Sequence, residues 1–182
     1  MWQILGKYPT WGQYYRVEAE ITMYNLPNAT WLNVFHFTEN DNCCQLGHRI
    51  PALMIHQDGY FHICSGVNDI GDYCFDYNFK IGNKYHIVIQ QKPENYEAVI
   101  YKIIVNNQII HKVQNIQFKE YTDVHVYVSD PWHSPFSSEY GLLENFSILP
   151  NLNCWKDDIT TLPSTPPICE FIRNWLNEQY KF

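Results

Sequence analysis

Six consecutive residues, Ser129-Asp130-Pro131-Trp132-His133-Ser134, place a hydroxyl, a carboxylate, an indole and an imidazole on one turn. A serine nucleophile needs a base that is itself oriented by a third group, and such a line is usually assembled from distant segments. Neighbours on one turn do not readily form it. The loop therefore has two readings. In one, Asp130 caps its own backbone as an Asx turn and Trp132 covers the edge of the core. In the other it binds a ligand: Trp132 stacks on a sugar face, Asp130 and His133 hold hydroxyls, and Arg49 and Asn68 add polar contacts from other loops.

Other chemistry-bearing residues are more dispersed. Glycoside hydrolysis needs two carboxylates about 5–9.5 Å apart across the scissile bond. Glu18-Ala19-Glu20 puts two acids on one face of a strand, where they read as solvated carboxylates. On that ground the chain is expected not to be an enzyme. The eight histidines (His36, His48, His56, His62, His86, His111, His125 and His133) form no HExxH or other metal-ligand spacing. His36, His62, His86 and His125 fall within strand-like segments and read as sheet-face residues. Calcium is the one cofactor for which ligands can be named: Asp41, Asp69 and Asp72, with Asn42 and Asn68 nearby, are loop oxygens of the right type, although no EF-hand loop is present.

Six cysteines without a zinc-ribbon spacing read as disulfides and hence as an oxidising compartment. Cys154 and Cys169 bracket a proline-rich stretch and pair with each other in this reading. Cys64 and Cys74 can bridge a hairpin. Vicinal Cys43 and Cys44 then pair together, or exchange with Cys64 and Cys74. The sequons at Asn28 and Asn145 agree with secretion and glycosylation. No long apolar leader opens the chain, so it reads as a mature or excised piece of a secreted protein.

The elements that position these residues are strands. Of 182 residues, 46% are hydrophobic, and a chain of this size can bury about 70% of its unfolded surface. The net charge of -7 argues against nucleic acid as a partner, and no apolar run reaches the ~20 residues of a membrane span. Tyr15 to Met23 alternates at period two, and Trp31 to Phe37 and Ala52 to His56 follow as strands. Asp58-Gly59 turns the chain into Tyr60 to Cys64, and Asn106-Asn107 turns Ala98–Val105 into Gln108–Val113. Tyr73–Phe79, Tyr85–Gln90, Val124–Ser129 and Leu142–Leu149 bring the count to ten or eleven strands. So many short strands predict an all-β, antiparallel jelly-roll sandwich of two sheets over residues 1–149. Residues 150–182 form a second unit: a proline-rich cystine loop, then a short amphipathic helix carrying Phe171, Ile172, Trp175, Leu176 and Tyr180 and packed on the sandwich.

Several segments carry a resemblance: Tyr15-Arg16-Val17-Glu18-Ala19-Glu20, Trp31-Leu32-Asn33-Val34-Phe35-His36-Phe37, and Arg49 to Met54 with Asp58-Gly59. So do Lys84 to Gln91, Tyr101 to Asn107, Val124-His125-Val126-Tyr127-Val128-Ser129-Asp130-Pro131-Trp132, and Gly141 to Ile148. Together they resemble the concanavalin A-like lectin and laminin G-like domains of invertebrate extracellular proteins. The resemblance implies a lectin-type fold that binds glycans, proteins or lipids, often with calcium, and a minority of its members hydrolyse glycosides. Hydrolases of this fold that are similar to bacterial glucanases carry Glu-x-Asp-x-x-Glu, whose third acid is missing after Glu20. The expected function is therefore noncatalytic recognition of carbohydrate at an extracellular surface, the alternative being a protein-binding adhesion module.

Overall fold

A strand whose residues alternate apolar and polar buries one face only, so many such strands pair into sheets that pack together. The computed structural model describes residues 3–94 and 98–150. Its strands are β1 (Gln3–Trp11), β2 (Tyr15–Met23), β3 (Trp31–Thr38), β4 (Ala52–His56), β5 (Tyr60–Val67), β6 (Ile70–Asn78), β7 (Lys84–Pro93), β8 (Val99–Val105), β9 (Gln108–Gln114), β10 (Tyr121–Val128), β11 (Ser134–Pro135) and β12 (Gly141–Leu149). One sheet has seven strands in the order β1-β10-β3-β4-β5-β6, with β11 added along β3. The other has five, in the order β12-β2-β7-β8-β9. Among the described residues only the short β11–β3 pairing is parallel. The all-β two-sheet sandwich predicted from the strand rhythm is the observed fold. The predicted helix, the Cys154–Cys169 bond and the packing of the tail lie outside the described residues.

Local sequence explains most of this. In β2, Val17, Ala19, Ile21 and Met23 enter the core while Arg16, Glu18, Glu20 and Thr22 face out. Asn106 and Asn107 both take positive φ, 50° and 66°, as the two-residue β8–β9 hairpin requires. Gly59, at φ 88°, closes the β4–β5 turn. Asn68 and Asp69, at φ 53° and 63°, make a further two-residue hairpin between β5 and β6 that the strand rhythm did not mark. β1 is also new. Only Trp11 of its residues is buried, so it carries no alternating signal.

The core between the sheets is aromatic. Trp11 packs against Phe37 at 4.9 Å and Tyr15 at 5.5 Å between ring centroids, and Phe35, Phe61 and Tyr101 are buried with it. Burying each such side chain contributes roughly 1.5–3 kcal/mol. Cys64 and Cys74 are directly opposed on β5 and β6 and are bonded, and Cys43 bonds to Cys44 in the β3–β4 loop. Among the described residues no cysteine is free.

The outer face of the seven-stranded sheet is partly covered. From Leu32 to Thr38 every residue of β3 is buried, including Asn33, His36 and Thr38, which lie outside the intersheet core. Two connections fold over them, residues 39–51 and 129–140. Thr38 donates to the Asp41 carbonyl, His36 bonds the His48 carbonyl, and Asn33 accepts from the Asp130 amide.

Candidate ligand-binding face

The loop after β10 is anchored from below. Ser129 turns the chain with φ 61°, and its amide donates to the Val34 carbonyl. Asp130 is 1% exposed. One carboxylate oxygen accepts from the amides of Trp132 (3.1 Å) and His133 (2.9 Å), the bonds of an Asx turn. The other accepts from His36 Nδ1 at 2.7 Å, and His133 Nδ1 lies 2.9 and 3.0 Å from the two oxygens. Burial opposes the Asp130 charge, but hydrogen bonds from His133 and His36 outweigh it and hold the carboxyl well below the usual range. His36 is fully buried, and each of its ring nitrogens faces an oxygen able only to accept.

Above this anchor stands Trp132, 38% exposed, with its ring 5.5 Å from His36 and 5.7 Å from Tyr127 in edge-on contacts. Both readings of the loop thus have a structural counterpart: Asp130 makes the Asx turn, and Trp132 is presented to solvent. Asp130 itself lies out of a ligand's reach, and His133 stands beside Trp132 with 11% of its side chain exposed.

The other site candidates sit elsewhere. Arg49 is buried; it donates to Asp72 at 2.6 Å and to the Asn42 carbonyl at 3.1 Å, tying the Cys43-Cys44 loop to β6. Asn68 is committed to backbone. Its amide nitrogen donates to the Gln114 carbonyl and its oxygen accepts from the Ile116 amide, joining the β5–β6 turn to the chain after β9. Asp69 pairs with Lys119 and Asp72 with Arg49, while Asp41 caps the Asn42 amide. Among the described residues no group of three carboxylates converges as a calcium cage would require. The two clusters with metal-like spacing, His62/Cys64/Cys74 and Cys43/Cys44/Asp72, each use bonded cysteines. Both sequons are exposed: Asn28 accepts from the Tyr140 hydroxyl, and Asn145 donates to Glu20 from a bulge in β12. Glu18 and Glu20 stand on the opposite side of the molecule, paired with Arg16 and Lys84.

A second aromatic group on the outer face escaped the sequence reading. Register places Trp31, His56 and Tyr60 in one row across β3, β4 and β5, and Asn33, Met54, His62 and Asp76 in the next row. The Trp31 ring lies 4.4 Å from His56, 4.9 Å from His62 and 6.1 Å from Tyr60, and His56 stacks on Tyr60 at 4.6 Å. His62 Nδ1 bonds Asp76 at 2.6 Å. The observed register sets His56 opposite Tyr60 across a three-residue loop, one residue away from the two-residue turn that Asp58-Gly59 suggests, so local sequence did not display this group.

No family model matches the chain, and no curated protein matches it. Solved structures match by fold. A heptameric SAP-like pentraxin from Limulus polyphemus has a TM-score of 0.52 at 12% identity, covering 81% of this chain and 68% of that one. The receptor binding domain of botulinum neurotoxin D also scores 0.52 at 12% identity, over 81% of this chain and 36% of that one. The family 7 alginate lyase A1-II′ scores 0.49 at 12% identity, over 77% and 62%. The chain thus spans less than two thirds of the lyase's length. Identities this low show the fold alone, a jelly-roll sandwich. One expectation is corrected. Lack of a paired-acid motif pointed away from an enzyme, yet several matched structures are alginate lyases, so the expectation of no enzymatic activity is withdrawn. The physical reason is plain: the paired-acid criterion addresses hydrolysis, and a lyase cleaves its glycan by elimination.

Proposed function

We propose that this jelly-roll sandwich binds carbohydrate at an extracellular surface, on the outer face of its seven-stranded sheet. The observation that supports the reading is Trp132, an indole held exposed on a loop clamped at Asp130. A flat ring fixed before the ligand arrives stacks on the apolar face of a sugar without the entropy cost of ordering a mobile loop. His133 supplies a polar edge beside it. In this reading Asp130 and His36 act through the loop by positioning Trp132. The two disulfides of the sandwich fit an oxidising location.

The test is a screen of immobilised glycans, run with calcium and again with chelator. Binding that free sugar reverses, and that Trp132→Ala weakens about tenfold, supports the reading. Absence of any glycan signal, together with specific capture of one extracellular protein, overturns it in favour of an adhesion module. Assaying bound glycans for new reducing or unsaturated ends shows whether they are also cleaved.

A further inference from the structure

Trp31, His56, Tyr60, His62 and Asp76 occupy the outer face that also carries Trp132, in direct cross-strand register. The opposite outer face, on the five-stranded sheet, shows the contrast. Its β2 and β7 positions are an ion-pair ladder of Arg16, Glu18, Glu20 and Lys84. From Trp31 to His36, beneath Trp132, is five residues along β3 with one bulge, a separation of roughly 13–16 Å. That exceeds the reach of one sugar ring. We propose that the Trp31 group is a second saccharide subsite and that the ligand is an extended, uncharged glycan chain lying across both platforms.

This inference rests on the carbohydrate reading and specifies its ligand. Trp31 and Tyr60 are half-buried rings in edge-on contact on this face, and His62, oriented by Asp76 through Nδ1, has its Nε2 for a sugar hydroxyl. The Tyr60 hydroxyl stays protonated as a donor, because burial and the nearby Asp76 and Asp58 charges push its ionisation up. A protein partner would call for a contiguous apolar patch, whereas here every ring alternates with a polar group. Charge selects the chain. The three rows Trp31/His56/Tyr60/Asn78, Asn33/Met54/His62/Asp76 and His36/Ala52/Cys64/Cys74 contain no lysine or arginine. Asp58 and Asp76 are exposed at their border, 71% and 56% at the side chain, which disfavours a uronate or sulfated chain.

The experiment titrates the full chain with neutral β-glucan and mannan oligosaccharides from monosaccharide to hexasaccharide. A uronate hexasaccharide serves as comparison. Affinity is expected to climb with length in the wild type. Trp31→Ala should flatten that climb, weakening the hexasaccharide about tenfold while leaving the disaccharide unchanged. Trp132→Ala should weaken every length. His62→Gln and Asp76→Asn, both at the partly exposed end of the group, repeat the Trp31 test should that variant fail to fold. Length-independent binding that responds to Trp132 alone overturns the second subsite and leaves the carbohydrate reading intact. Failure of every glycan to bind overturns both. Tighter binding of the uronate chain overturns the assignment to an uncharged ligand.

Discussion

At the residue scale, the buried trio His36, Asp130 and His133 is the tightest polar arrangement near the site. A carboxylate taken out of water is tolerated only when its oxygens are satisfied, and here two imidazoles and two amides do this. Removing one buried partner leaves charge uncompensated. His36→Ala should therefore cost about 3 kcal/mol in urea denaturation and loosen Trp132, seen as a changed tryptophan emission. An unchanged denaturation midpoint would show that His133 and the amides hold Asp130 unaided. The sequence displayed the letters of this loop, including the Asx turn, but not His36, which lies 94 residues away. Proximity created by a β10–β3 pairing leaves no trace in local spacing.

At the scale of elements, the 39–51 connection is held to the sheet by close backbone approach as well as by Arg49. A Cβ on Gly71 would lie 2.1 Å from the Gln45 carbonyl carbon, so Gly71 lets this connection rest directly on β6. Gly71→Ala should displace it and lower stability by about 1–3 kcal/mol, measured by thermal or urea unfolding, with faster amide exchange at residues 42–48. Wild-type exchange in that segment would sink the argument. Turn chemistry made several hairpins legible in advance, because Asp58-Gly59 and Asn106-Asn107 favour positive φ whatever surrounds them. β1 was illegible for the opposite reason. Its residues pair with β10 through backbone, from Gln3 to Trp11, while few of their side chains enter the core.

At the scale of the whole molecule, the two sheets are fastened along one side by β6 and β9. The Tyr73 hydroxyl and His111 Nε2 share a hydrogen bond at 3.0 Å, and Phe75 stacks on the same ring at 4.7 Å. Burial lowers the His111 pKa below its ordinary value of 6.5, so the fold holds this imidazole neutral more firmly than the unfolded chain does. The sign follows from linkage: the unfolded state binds the extra proton, so stability is retained above about pH 6.5 and falls as pH drops below it. A melting series from pH 7.5 to 5 should show a loss that His111→Gln reduces. Identical pH slopes in the two proteins would remove His111 as its source.

Period-two alternation and turn residues determined that this chain is an antiparallel β-sandwich, because both act within a few residues and report directly on which face meets the core. Cysteine positions left Cys64 and Cys74 open between a bond across their hairpin and exchange with Cys43 and Cys44, and the fold joins Cys64 to Cys74. Which side chains share the outer face was decided by tertiary structure alone. Strand order in the sheet sets β10 and the 129–135 loop beside β3, and β3 beside β4. That order brings His36 under Trp132 and places Trp31 among His56, Tyr60 and His62. Arg49 and Asn68 moved the other way, from proposed ligand contacts to internal ties, because the groups that occupy them belong to segments brought near only by folding. Strand order is a long-range choice made by the core as a unit, which is why the site it assembles is absent from local sequence.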